Sequence, residues 1–238
     1  MLLKLKTLLG STGRFSKMAY FKSSPTTAHI SITDSTVELT AVNYLKSGSV
    51  IAVPTDTVYG LACDATNKSA INQLYKIKCR NENKPLAICL NEVSRIGLWA
   101  SVHHLPSNLL GALLPGPVTV ILQLTNNTLD KSLSLNGKVG IRVPDYDFIR
   151  NISCGLGKPL ALTSANFSNH PSAVEILQFK SIWDKIPAIF DGGKLNYNNE
   201  PSTIIDLSES GVFKIVREGA ALEETISMLR KFELKQML

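Results

Sequence analysis

Apolar residues Val50, Ile51, Ala52 and Val53 run without interruption, and the chain then changes at once to Pro54-Thr55-Asp56-Thr57-Val58-Tyr59-Gly60. A short run without alternation predicts a strand covered on both faces. Before it, Val37, Ala41, Tyr44 and Leu45 recur at helical spacing and predict a helix that ends near Gly48, with Ser35-x-x-Glu38 in the form of a capping box. Ala70, Ile71, Leu74, Tyr75 and Ile77 predict a second helix, with Lys78 and Arg80 at its C-terminal end. The pattern predicts further strands over 86–90, 118–124, 138–143, 160–163, 188–190, 203–207 and 212–216. It predicts helices over 93–100, 107–114, 146–154, 172–179 and 221–233. Strands and helices mix without a strict βα repeat, which argues for an α/β or α+β fold with a sheet of mixed direction. No internal repeat or interdomain linker interrupts residues 34–238.

Composition changes this picture at one end. The 238 residues are 44% hydrophobic, enough for a full core in one domain, and the net charge is +6. Five of the 25 basic residues (Lys4, Lys6, Arg14, Lys17, Lys22) and none of the 19 acidic ones fall in residues 1–33. The remainder is close to neutral, so nothing global demands nucleic acid. The leader is rich in Ser and Thr, and Leu2, Leu5, Leu8 and Leu9 lie at helical spacing, which reads as a mitochondrial presequence or, more plainly, a disordered tail. Initiation at Met18 would remove most of that face and leave a cytosolic form.

Cys63, Cys79, Cys89 and Cys154 show no C-x-x-C spacing and read as reduced thiols. His29, His103, His104 and His170 add no metal-ligand spacing, so neither a resident metal nor a redox cofactor is expected, and His103 and His104 read as surface residues. No charge occurs between Leu105 and Thr128, but Pro115-Gly116-Pro117 breaks that stretch into a short helix, a turn and a strand, with no transmembrane segment expected.

Three apolar segments are bordered by small polar groups: Pro54 to Gly60, Thr163-Ser164-Ala165-Asn166, and Glu200-Pro201-Ser202-Thr203. In open α/β sheets such places line ligand crevices, although each alone also fits a turn or helix cap. The chain lacks G-x-S-x-G, H-E-x-x-H and a Cys with a conspicuous His partner. Cations, hydroxyls and an amide without a nucleophile suit phosphoryl or nucleotidyl transfer, in which the protein positions two substrates and neutralises phosphate charge.

PTDTVYGLACDA, the Lys78-Cys79-Arg80 element followed by Lys84-Pro85-Leu86-Ala87, Leu114-Pro115-Gly116-Pro117-Val118-Thr119, Val139-Gly140-Ile141-Arg142-Val143-Pro144, TSAN at 163 to 166 and PSTIID at 201 to 206 occur in order between about Thr36 and Ala220. In these motifs the sequence resembles the YrdC family of threonylcarbamoyl-AMP synthases. The resemblance implies a YrdC-like twisted open mixed sheet flanked by helices, with a concave ligand-binding face and without the extra C-terminal domain of longer members. It implies the conversion of L-threonine, bicarbonate and ATP into threonylcarbamoyl-adenylate and pyrophosphate, with magnesium accompanying the ATP. A separate transferase complex would then modify tRNA. Two other readings stand beside it: a non-catalytic RNA-binding module of the same fold, with weak RNA binding, and an acyl or carbamoyl transferase using another adenylate donor.

The resemblance also distributes roles. Lys78 and Arg80 fall to the ATP phosphates and the developing charge, with Lys84 a further phosphate contact; the plainer reading is a solvated helix end. Ser164 is placed on the threonine side and Asn166 on the nucleotide, or both simply cap a turn. Arg142 interrupts an otherwise buried strand, where a charge needs a partner, and the threonine carboxylate is expected to supply it. Thr57 and Ser202 are expected near the same amino acid, Lys138 near the nucleotide on the strand face it shares with Arg142, and Thr119 on the floor. Arg217 is expected at the adenosine or phosphate, although Glu218, where many members have Pro, could pair with it. Asp56 and Asp191 are candidate water-mediated magnesium partners.

Overall fold

Period-two alternation sorts the strand residues into two cores. The computed structural model describes residues 27–79, 84–167, 170–196 and 199–237. Its elements are β1 (Ala28–Ser31), α1 (Val37–Lys46), β2 (Ile51–Val53), β3 (Gly60–Asp64), α2 (Lys68–Lys78), β4 (Ala87–Cys89), α3 (Leu109–Leu113) and β5 (Val118–Gln123), then β6 (Lys138–Arg142), α4 (Asp147–Leu156), β7 (Leu160–Ser164), β8 (Ala188–Asp191), β9 (Thr203–Asp206), β10 (Val212–Arg217), α5 (Leu222–Lys231) and β11 (Lys235–Gln236). Short 3₁₀ segments occupy Val93–Leu98, Lys131–Leu133 and Ile176–Lys185. Among the described residues, eleven strands form one open sheet in the order β1-β8-β2-β3-β7-β4-β6-β5-β9-β10-β11. Its direction is mixed: β8 is parallel to β1 and β2, β4 to β6 and β5 to β9, while β3 is antiparallel to β2 and β7, and β6 to β5.

Ile51 and Val53 face a core with Leu160, Leu162, Ala188 and Phe190, whereas Val50, Ala52, Ala161 and Ile189 face the opposite core. On the first face α1 contributes Val37, Ala41, Val42 and Leu45, and α4 contributes Phe148, Ile149 and Ile152. Each such buried side chain contributes about 1.5–3 kcal/mol by leaving water. The opposite core takes Ile71, Leu74 and Ile77 of α2 together with Val118, Val120, Val139, Ile141, Ile205 and Phe213. By alternation, Thr119 and Ile121 of β5, Lys138, Gly140 and Arg142 of β6, and Ser202, Ile204 and Asp206 along β9 share the face that α1 and α4 cover elsewhere. Those helices pack over β8, β2, β3 and β7 and leave this strip open as a trough.

Several expectations are corrected. Residues 28–31, read as part of a leader over 1–33, form edge strand β1 paired with β8, so the fold begins before residue 34; residues 1–26 lie outside the described residues. Strand β3, absent from the sequence reading, is buried at all five residues. The capping box does not form: Asp34 Oδ1 accepts from the Thr36 backbone N–H at 2.8 Å and from its hydroxyl at 2.9 Å, and Glu38 Oε1 accepts instead from Asn151 Nδ2 at 2.6 Å. The helix expected over 172–179 is the 3₁₀ segment Ile176–Lys185. The uncharged stretch 105–128 does divide into α3, a turn and β5, and no helix among the described residues is long and apolar enough to cross a membrane.

All four cysteines are free thiols. Burial pushes the Cys63 thiol far up and the Cys89 thiol up to about 12, while Cys79 and Cys154 are exposed. Maleimide labelling of the native protein at neutral pH should therefore modify Cys79 and Cys154 rapidly, and Cys63 and Cys89 only after denaturation, as peptide mass mapping would show.

Candidate active site

Two abutting cavities occupy the open trough. The first, about 110 Å³, is lined by hydroxyls and two guanidinium groups: Thr55, Thr119, Thr163, Ser164, Ser202, Arg142 and Arg217. The second, about 480 Å³, is mainly apolar, with Ile121, Leu135 and Val216, and carries charge at Lys84, Lys138 and Asp206. Pro85, Leu86, Ala87, Thr119 and Ile204 belong to both walls, so the two are compartments of one site. Gly140 keeps the floor low between them, since a Cβ there would lie 3.3 Å from Thr119 Cγ2 and 3.7 Å from Ala87 Cβ.

Lys78 is 1% exposed, not at a solvated helix end. Asn67 caps the start of α2 by accepting from the Ala70 N–H, and Cys79 ends it in the left-handed conformation at φ 49°. This termination leaves Lys78 on the buried side, where Nζ donates to the Ser164 carbonyl at 2.6 Å and to Asn166 Oδ1 at 2.6 Å. The Ser164 hydroxyl donates to the same Asn166 oxygen at 2.6 Å, and Asn166 Nδ2 holds the His170 and Pro171 carbonyls. Lys78, Ser164 and Asn166, far apart in sequence, thus form one cluster with Ser164 on the cavity wall. Arg80 lies outside the described residues.

Arg142 reaches the first cavity, but its charge partner belongs to the protein. Nη2 donates to Asp56 Oδ1 at 2.6 Å and to Thr57 Oγ1 at 3.2 Å, and both ion-pair side chains are buried. The expectation that a ligand carboxylate would be the partner of this buried cation is corrected: Asp56, 86 positions away, pairs with it. Among the described residues, Arg142 Nε is buried without a hydrogen-bond partner. Thr57 is wholly buried behind the wall, and Thr55 takes the lining position expected of it. The cause is a hydroxyl turn: Thr55 Oγ1 donates to the Val58 carbonyl at 2.7 Å and accepts from the Thr57 N–H at 3.2 Å.

Arg217 donates from Nε and Nη2 to the Ser202 carbonyl at 3.2 and 2.7 Å, and the Ser202 hydroxyl lies 2.8 Å from Thr119 Oγ1. This joins β10, the entry to β9 and β5 into one hydroxyl-bearing wall. Lys138 pairs with Asp206 at 2.9 Å in the second cavity, on the face shared with Arg142. Lys84 lines the same cavity. Asp206 is a site residue missed in the sequence, where the strand PSTIID gave no sign that its last acid faces inward.

Burial opposes ionisation of Asp206, but hydrogen bonds from Ser208 and Lys138 outweigh it and hold the carboxyl below its usual range. A carboxyl with a lowered folded pKa binds fewer protons when folded, so its stabilisation is complete above the unfolded value of about 4 and fades as pH falls through the folded one. The stability difference between wild type and Asp206→Asn should accordingly be largest at neutral pH and shrink below about pH 4, as urea midpoints across that range would show.

The two candidate magnesium partners both bond within the protein. Asp56 is in the buried pair, and its Oδ2 accepts from the Asp145 N–H at 2.9 Å; Asp191 Oδ1 accepts from the Gly193 N–H at 2.8 Å beside the Tyr59 hydroxyl. Among the described residues no three His, Cys, Asp or Glu side chains gather as a metal site. His104, read as a surface residue, is half-buried and bonded at 2.7 Å to the Leu207 carbonyl.

The arrangement suits a small polar anion in the first cavity and a larger, partly apolar group bearing negative charge in the second. Comparison with known proteins identifies relatives of the chain. A threonylcarbamoyl-AMP synthase of Bos taurus is 42% identical over 200 residues, covering 82% of this chain and 72% of its own length. One from Homo sapiens is 41% identical over 197 residues, covering 80% and 70%. Among solved structures, a doubly substituted Sua5 of P. abyssi aligns with TM-score 0.77 and 26% identity over 89% of this chain, and Sua5 complexed with L-threonine aligns with TM-score 0.75 and 24% identity over 88%. The chain spans 62% of the length of those Sua5 proteins. The Sua5/YciO/YrdC family model, described as "Telomere recombination", matches residues 43–219. With that match and relatives above 40% identity over most of its length, the chain belongs to the Sua5/YciO/YrdC family.

Proposed function

We propose that this protein is a threonylcarbamoyl-AMP synthase, a nucleotidyltransferase that joins L-threonine, bicarbonate and ATP and releases pyrophosphate. The observation that carries the reading is the pair of abutting cavities, one polar with two guanidinium groups and one apolar with flanking cations, in a chain whose relatives bear that name. Threonine occupies the polar cavity with its carboxylate toward Arg142, and Ser164, Ser202 and Thr55 beside its polar groups. The adenosine lies over Ile121 and Val216, with Lys84, Lys138 and Arg217 around the phosphates, and Arg80 is assigned to the phosphates by its sequence motif alone.

The threonine amino nitrogen bonds to the bicarbonate carbon with loss of water, and an oxygen of the resulting carbamate attacks the α-phosphorus while the bond to pyrophosphate breaks. The protein holds these two anionic groups together, screens their repulsion and excludes water, without a covalent enzyme intermediate. Lys78 acts on Ser164 and Asn166, holding the wall against which the carbamate forms. Magnesium, where present, comes with ATP and takes most of its oxygens from the phosphates. The adenylate product passes to a transferase complex that modifies tRNA. Removal of any one of the three substrates should stop pyrophosphate release, and undiminished release without bicarbonate would contradict the reading. Serine should react less well, since one methyl in an apolar contact is worth about 1–3 kcal/mol.

The protein is mitochondrial when made from Met1 and cytosolic when made from Met18. Both forms retain β1, because residues 1–26 precede it. Fluorescent fusions of residues 1–26, with Lys4, Lys6 and Arg14 intact or replaced by Glu, test this by colocalisation; a cytosolic signal from the intact leader overturns it.

A further inference from the structure

Asp56 has no part in the chemistry just described, yet it is tied to the site from both of its oxygens. Oδ1 takes the Arg142 guanidinium, and Oδ2 takes the N–H of Asp145, three residues beyond Arg142. One carboxylate therefore clamps both the side chain of Arg142 and the backbone that follows its strand. Asp56 is 6% and Arg142 7% exposed, so the pair is shielded from competing water and salt. The pair also spans a partition: Arg142 lines the polar cavity, Asp56 lines a separate one of about 370 Å³ with Tyr146, Lys194 and Asn196, and Thr55 lines both. Thr57 closes the arrangement by accepting from the same Nη2. All of the named contacts fall on Nη2, which leaves the rest of the guanidinium to the polar cavity that Arg142 lines.

We propose that Asp56 is the positioning residue for Arg142, fixing the guanidinium through Nη2 so that its cavity-facing edge is kept for a ligand carboxylate. The inference rests on the reading that Arg142 receives the threonine carboxylate. In the unliganded protein the pair is electrically neutral, so the cation tolerates burial without a substrate. When threonine arrives, the donor is already aimed and little ordering remains to be done. A guanidinium released from Asp56 would have to be oriented by the substrate, and the loss would appear in threonine binding before any other step.

The test uses full-length protein carrying D56N, R142Q or both, with KM for threonine and for ATP measured beside the thermal midpoint. Asparagine keeps the shape of Asp56 and an acceptor oxygen but loses its charge. D56N should raise the threonine KM roughly tenfold to a hundredfold, the weight of one charge-assisted hydrogen bond, and change the ATP KM by less than about twofold. The double variant leaves no orphaned charge, so it remains informative even where D56N alone folds poorly. Its threonine KM should equal that of R142Q, because Asp56 acts only through Arg142. A threonine KM unchanged in D56N, a parallel rise in both KM values, or a double variant as impaired as the two single effects multiplied would each overturn the proposal. An R142Q protein with wild-type threonine KM would overturn the assignment of Arg142 and the proposal with it, whereas an impaired R142Q beside a silent D56N overturns the proposal alone.

Discussion

Lys78→Met should retain the fold and lose nearly all turnover. Methionine replaces the aliphatic stem of Lys78 within α2, so the change isolates the ammonium group. What disappears are the charged donors to the Ser164 carbonyl and Asn166 Oδ1, both at 2.6 Å, while the Asn166 N–H still reaches that carbonyl at 3.0 Å and the Ser164 hydroxyl that amide oxygen at 2.6 Å. Losing a hydrogen bond from a charged donor costs about 1.5–3 kcal/mol of stability. The loss of a preorganised charge near the reacting groups costs about 2.7–4 kcal/mol in the transition state, or two to three powers of ten in rate. Pyrophosphate release under saturating substrates and a urea melt measure the two parts separately. Wild-type turnover in a folded Lys78→Met protein would remove Lys78 from the working site.

The second large effect is expected at Gly219, which bears no chemistry. A Cβ there would lie 2.4 Å from the Pro201 carbonyl oxygen and 2.6 Å from both the Ser202 carbonyl carbon and the Thr203 nitrogen, all backbone atoms that cannot swing aside. Gly219→Ala must therefore push the segment after β10 away from the entry to β9, against the Ala220 N–H bond to the Pro201 carbonyl at 3.0 Å and the Ala221 N–H bond to Thr203 Oγ1 at 3.2 Å. Overpacking of this kind costs about 1–3 kcal/mol or more, and it displaces Ser202 from Thr119 and Arg217. Gly111→Ala provides the contrast, because no atom lies within 4 Å of its added Cβ and α3 accepts the residue. It should be neutral or stabilising by a few tenths of a kcal/mol up to about 1 kcal/mol. Equal urea midpoints for the two variants would contradict the packing described around Ser202.

The sequence discloses which residues gather more readily than what they touch. Lys138 and Arg142 could be assigned to one face because strand geometry repeats every two residues, and the structure places both along the trough. Ser164 and Asn166 stood out as small polar groups after an apolar run, yet their link to Lys78 crosses 86 and 88 positions and leaves no local trace. The same is true of the Asp56–Arg142 pair, where a buried charge announced the need for a partner but not its identity. Thr55 and Thr57 exchanged places because a hydroxyl turn, not strand alternation, orients them. Strand β3 escaped notice because it is short and covered on both faces, so Gly60-Leu61-Ala62-Cys63-Asp64 shows no alternation and reads as the tail of a loop motif. At the N-terminus, the absence of acidic residues from residues 1–33 concealed β1, whose hydrogen bonds to β8 depend on backbone position and not on charge.

The most direct test of the synthase reading is the identity of the product. Full-length protein would be incubated with ATP, L-threonine and carbon-labelled bicarbonate, and the nucleotides separated and weighed by mass spectrometry. The account predicts one new species containing AMP, threonine and a single labelled carbon, formed in step with pyrophosphate. Pyrophosphate released with no label in any adenylate, or an adenylate of threonine itself, would contradict it.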